Sequence, residues 1–223
     1  MKGSCYISVV NETIARAWNS QQEKIAAAAE QIAEAIKRKN NVFIFGCSHA
    51  GILSEEVFYR TGGLAVINPI FFPGFMLNTK PVTMTSRLER IPGIGRMLLL
   101  ENHLRKGDVL LIHSVSGRNT VPVEMAIEAS KTGVYVIEVS DLVLDNCGVP
   151  GDAAIRLEGL EEAVGPTSTA VGAALMNGLI IEVVEKLIND KIVPPVFLSA
   201  NLDGGDEHNR KIFKEYKDNI FYM

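Results

Sequence analysis

Two groups of small polar residues each follow directly on a run of apolar, β-prone residues. Gly46-Cys47-Ser48-His49-Ala50-Gly51 follows Val42 to Phe45, and His113-Ser114-Val115-Ser116-Gly117-Arg118-Asn119-Thr120 follows Val109 to Ile112. Uninterrupted apolar runs of this length read as strands buried on both faces. A turn that leaves such a strand and enters a helix presents free backbone N–H groups and the positive helix end above the sheet. That arrangement suits an anion, most often a phosphate. For the first loop alone, an ordinary βα turn that binds nothing is an equal reading; its repetition in the second favours the anion. Ser114 and Ser116 alternate with Val115, so their hydroxyls project to one side, and Gly117 lets the backbone turn in close. Neither loop fits G-x-x-x-x-G-K-[ST] or G-x-G-x-x-G, which disfavours a nucleotide P-loop and a dinucleotide fingerprint.

The elements that must hold these loops alternate in type. Asn11 can cap a first helix, and Ser20 with Glu23 reads as a capping box that carries it on through Ile36. Leu53, Val57 and Phe58 place a helix after the first loop, ended by Gly62-Gly63, and Leu64 to Ile67 reads as a strand. Pro69 to Pro81 is aromatic and Pro-rich: Phe71, Phe72 and Phe75 either cover a ligand or form a satellite core. A second capping box, Ser86 and Glu89, opens a short helix. Val134 to Ile137 and Asp152 to Leu157 read as the last strands, and a long helix runs from Gly165 past Leu187. The expectation is one three-layer αβα sandwich around a doubly wound, mainly parallel five-stranded sheet, with both loops at strand C-termini where ligands of such folds bind. Residues 1–40 form an N-terminal helical segment, packed on the core or on a partner subunit through an exposed Trp18, and 41–223 form the α/β domain. Between Ser140-Asp141 and Leu142 to Leu144 the chain leaves no room for a parallel crossover. Either this is one irregular extension, or residues are absent there.

Composition narrows the partners. A chain of 223 residues can bury a full core, and a net charge of −4 argues against nucleic acid. Cys5, Cys47 and Cys147 are odd in number and lack redox or metal spacing, which points to a reduced cytoplasm. Cys47 reads as a small buried side chain rather than a nucleophile. No signal-peptide core and no membrane-spanning run is present, no ligand cluster calls for a metal, and no cofactor is implied.

Gly46 to Ser48 after one strand, paired with Ser114-Val115-Ser116-Gly117 after another, resembles the sugar isomerase (SIS) domain family. The likeness runs from about Glu12 to the C-terminus, closest to small stand-alone proteins of the phosphoheptose isomerase type. The resemblance implies a flavodoxin-like fold and a sugar phosphate held by Gly46, Ser48, His49, Ser114, Ser116, Gly117, Asn119 and Thr120. It also implies a third polar edge at Thr167, Ser168 and Thr169, where the last long helix starts. Asn119 stands where Ser or Thr is usual, and Thr120 follows it. For the base that moves a proton α to the carbonyl, Glu55 or Glu56 matches a Glu-Glu pair of that family, with Glu161 or Glu162 as the alternative. The family's histidine on the last long helix has no counterpart here, so His208 is the favoured second acid/base group, reaching a neighbouring subunit's pocket, with His49 next. SIS pockets usually lie near subunit interfaces, so a homodimer or homotetramer is expected. The implied function is an aldose–ketose sugar-phosphate isomerase working through an enediol(ate). A non-catalytic phosphosugar sensor and a muramate-phosphate etherase-like lyase are the alternatives.

Overall fold

The computed structural model describes residues 2–115, 117–137 and 143–223. Two helices lead, α1 (Lys2–Asn19) and α2 (Gln22–Lys37). Then come β1 (Val42–Gly46), a 3-10 turn (Ser48–Gly51), α3 (Ile52–Val57) and β2 (Ile67–Pro69). Next are α4 (Thr83–Leu88), α5 (Ile94–Glu101), β3 (Val109–His113), α6 (Thr120–Lys131) and β4 (Tyr135–Ile137). The chain continues through β5 (Ala153–Ile155), β6 (Val164–Pro166), α7 (Ser168–Asn189) and α8 (Gly205–Glu215).

The strands pair in the order β2-β1-β3-β4, and every pairing in this sheet is parallel. Side chains alternate across a pleated strand, and the two faces divide cleanly. Val42, Ile44, Val109, Leu111 and Ile137 join one buried cluster with α2 and α7, whereas Phe43, Phe45, Leu110, Ile112 and Val136 join another with α5 and α6. That is why both β1 and β3 read as unbroken apolar runs: each residue faces a helical layer. The architecture is the expected three-layer α/β sandwich. Phe75 is buried in the second cluster with Phe72 packed on it, so the aromatic segment is largely core.

Four expectations need correction. The sheet has four strands, not five: Ala153–Ile155 pairs antiparallel with Val164–Pro166 as a separate hairpin. A short apolar run carries no record of its partner, so periodicity could not separate the two pairings. Trp18, read as exposed, is half-buried: its ring packs against Gly178 of α7, where a Cβ would lie 2.4 Å from it, which is the core packing of the two placements left open. The Ser20–Glu23 box does not form. Gln21 precedes α2 without capping it, and its side chain instead makes two hydrogen bonds to the Asp145 backbone, at 2.6 and 2.8 Å. Helix α3 stops at Val57 because Phe58 turns extended and sets its ring edge-on against Phe71 and Tyr222. Ser116, and the junction of Ser140 with Asp141, lie outside the described residues.

Candidate functional site

The sheet order puts β2 on one side of β1 and β3 on the other, so the strand order reverses between β1 and β3. Open α/β sheets bind ligands at such a switch point, beyond the strand C-termini. The register places Gly46 opposite His113, so the two polar loops leave the sheet side by side.

The first loop is folded tightly back on its own strand. A Cβ on Gly46 would stand 2.6 Å from the Ala50 carbonyl oxygen, which only glycine tolerates. Ser48 takes up φ 56°, a left-handed conformation uncommon for a residue with a side chain. Nonglycine residues persist there when surrounding contacts hold them, and they gather at ligand sites. One such contact joins the loops: the His113 ring is 3.2 Å from the same Ala50 carbonyl through Nδ1. The N–H tautomer that bond requires leaves Nε2 as a lone-pair acceptor, and Nε2 is buried with no hydrogen-bond partner among the described residues. Burial holds the imidazolium form down, against the Ala50 carbonyl and the more distant Asp152 charge, so His113 is neutral at physiological pH. In the second loop, Gly117 N–H donates to Ser114 Oγ at 3.1 Å with Gly117 at φ 60°.

Between the loops lies a cavity of about 170 Å³. Ser48, His49 and Cys47 line it from the first loop; Ser114, Val115 and Asn119 line it from the second; His113, Pro122 and Glu89 complete it. Burial, reinforced by the Glu89 charge, pushes the Cys47 thiol far above its ordinary range, so it is an un-ionised side chain and no nucleophile. Glu89 is the residue that sequence reasoning missed. Its spacing from Ser86 reads as the inner half of a capping box, yet α4 ends at Leu88 and Glu89 follows it, 8% exposed. Its carbonyl accepts from Val121 N–H at 3.0 Å, and it shares the cavity wall with the Asn119 side chain. A glutamate between short helix fragments gives no sequence signal beyond its charge.

The other residues singled out lie elsewhere. Thr120 opens α6, just past the cavity. Thr167 and Ser168 are buried, and their backbone N–H groups and the Ser168 hydroxyl donate to the Asp152 carboxylate, at 2.9, 2.8 and 2.7 Å. They cap α7, with Thr169 part-exposed beside them; none of the three lines the cavity. Glu55 is exposed, and Glu56 is tied to Arg60 and to Asn177 Nδ2 at 3.0 Å, on the side of α3 facing α7. Glu162 is exposed in the β5–β6 turn. His208 lies on α8 with Nε2 3.0 Å from the Val196 carbonyl. Val196 bridges to Leu64, just before β2 begins, so His208 sits at the end of the parallel sheet opposite to Gly46 and Ser48.

The Asp152 cap makes one clear prediction. Burial raises its carboxyl, but the hydrogen bonds from Ser168 and Thr167 outweigh that and hold it below the usual range. A depressed folded value means the contribution is complete above the unfolded range near ~4 and is lost as pH falls through the folded one. Asp152→Ala should cost about 1–2 kcal/mol in urea melts at pH 7. The gap from the parent should close toward pH 2; an equal gap at both pH values would assign it to packing instead.

Among the described residues, no helix is long and apolar enough to cross a membrane. The SIS domain family profile matches residues 5–140. A UPF0309 protein of Shouchella clausii (strain KSM-K16) is 42% identical over 240 aligned positions, covering 98% of each chain. Those of Oceanobacillus iheyensis and Geobacillus sp. (strain WCH70) are 41% and 37% identical over 98% and 96% of each chain. The alignment to the Shouchella protein is longer than the 223 residues of this chain, so that relative carries residues with no counterpart here. A solved structure described as a phosphoheptose isomerase from Francisella tularensis is 15% identical, with a TM-score of 0.46 over 61% of this chain and 72% of that one.

Proposed function

The chain belongs to the SIS domain family, and from that premise we propose that it binds a sugar phosphate and interconverts its aldose and ketose forms through an enediol(ate). One observation carries the reading: the loops after two adjacent parallel strands enclose a single cavity lined by Ser48, Ser114 and Asn119. Helix α3 is too short to lend a useful dipole, so on that side the phosphate is held by hydroxyl and loop N–H donors, while on the other the N-terminus of α6 follows directly on Asn119. Neutral His113, whose Nε2 keeps its lone pair, is the proton acceptor on the cavity wall. The isomerase reading takes it ahead of Glu55, Glu56, Glu162 and His208, none of which lines the cavity within one protomer.

That same placement favours a second reading, a phosphosugar-binding module without turnover. A thermal-shift panel of sugar phosphates, with the parent sugars as controls, separates the cases. Ligand at about a hundredfold over its Kd should add ~2.7 kcal/mol of stability, seen as a rise in Tm for the phosphorylated sugars alone. Product analysis of each hit then distinguishes isomerisation, release of lactate as from an etherase, and binding without reaction. Equal shifts with sugars and their phosphates would overturn the phosphate anchor.

A further inference from the structure

The cavity contains an acid where a phosphate site usually has a base. Among the described residues, neither lysine nor arginine lines it, whereas Glu89 does, buried between the end of α4 and the second loop. A dianionic phosphate placed beside an ionised carboxylate in a partly desolvated pocket would meet like charge at close range. The same carboxyl carrying its proton is an O–H donor and removes that repulsion. Resting on the phosphosugar reading of this site, we propose that Glu89 binds the phosphate in its protonated form, so that one proton is taken up with each ligand bound above the Glu89 ionisation range.

The groups around Glu89 support this. From the first loop it faces Cys47, held as the neutral thiol, and His49; from the end of β3 it shares the cavity with neutral His113. From the second loop it faces the uncharged amide of Asn119, and on its own segment the charge of the exposed Arg90 favours the ionised carboxyl, against the effect of burial. Burial prevails over Asn119 and Arg90 and holds the carboxyl above the ordinary range. An arriving anion raises it further, because the anion penalises the ionised form. The proton is shared in a hydrogen bond between Glu89 and a phosphate oxygen; no covalent bond changes.

Isothermal titration calorimetry tests this on the intact chain. The probe is the tightest binder among glucose 6-phosphate, fructose 6-phosphate and ribose 5-phosphate, titrated from pH 5 to 8.5 in paired buffers of different ionisation enthalpy. The parent should take up about one proton per ligand at pH 8, and its affinity should fall by up to about tenfold per pH unit above the Glu89 ionisation. Glu89→Gln keeps a donor and loses the titration: uptake should vanish, the profile flatten, and binding at pH 8 equal or exceed that of the parent. Glucose 6-sulfate, which has no ionisation of its own in this range, should show the same proton linkage in the parent. No uptake by the parent overturns the proposal while leaving the site intact, and so does uptake that persists in Glu89→Gln. A folded Glu89→Gln that no longer binds at any pH would make the carboxylate itself the ligand contact and also overturn it. Should that variant fail to fold, His49→Gln takes its place: uptake that persists there supports Glu89 as the source, and uptake that vanishes overturns the proposal. If no phosphate ester binds the parent at any pH, the phosphosugar reading fails and takes this inference with it.

Discussion

Gly46→Ala is expected to eliminate phosphosugar binding and to cost about 2–4 kcal/mol of stability, the range of an overpacked, strained site. The added methyl would sit 2.6 Å from the Ala50 oxygen, 2.7 Å from its carbonyl carbon and 2.9 Å from Gly51 N. All three are backbone atoms, so no side chain can swing aside. The loop must lift off the strand, and it takes with it the carbonyl that His113 holds. One methyl therefore removes the first loop from the cavity and unties it from the second. Chemical denaturation and the thermal-shift panel together check both halves. A variant that melts like the parent and binds like it would mean that this loop can relax without consequence, and the cavity geometry would lose its meaning.

Asp108→Ala should destabilise by about 2–5 kcal/mol yet leave ligand affinity unchanged in the protein that remains folded. Asp108 is fully buried at the start of β3, and its carboxylate accepts from the backbone N–H groups of Asn41 at 2.8 Å and Arg105 at 3.0 Å. Its own carbonyl receives Tyr135 N–H at 2.9 Å, so one residue ties together the beginnings of β1, β3 and β4. Truncation strands the buried Asn41 N–H and the part-buried Arg105 N–H, a buried donor costing about 1–3 kcal/mol when left unpaired. Asp108→Asn keeps acceptor capacity and should lose less. The cavity lies at the far end of the same strands, which is why stability and affinity should separate. A loss of affinity as large as the loss of stability would show that the strand starts and the loops move as one unit.

How much of this was legible beforehand follows from what each feature depends on. The apolar runs Val42–Phe45 and Val109–Ile112 reveal their burial on both faces without any partner in view, because a strand between two helical layers has no solvent side. The loops that follow them were legible as a pair, since glycine and serine directly after each of two such strands repeat one arrangement that a single βα turn would not single out. Glu89 was hidden for the opposite reason. Ser86 and Glu89 have capping-box spacing, but a helix already running from Thr83 absorbed the serine and delivered the glutamate to the cavity.

The chain's own order of residue types thus determined the α/β layering, the two polar loops and their place after β1 and β3. These rest on local periodicity and turn chemistry, which act over a few residues. Tertiary structure alone decided the rest: that Ala153–Ile155 pairs with Val164–Pro166 instead of extending the sheet, that Thr167 and Ser168 serve Asp152, and that Trp18 packs on Gly178. It alone brought Glu89 and His113 to one cavity, 24 positions apart in sequence. Such meetings depend on which surfaces the packed layers leave facing each other, and no window of sequence carries that distance.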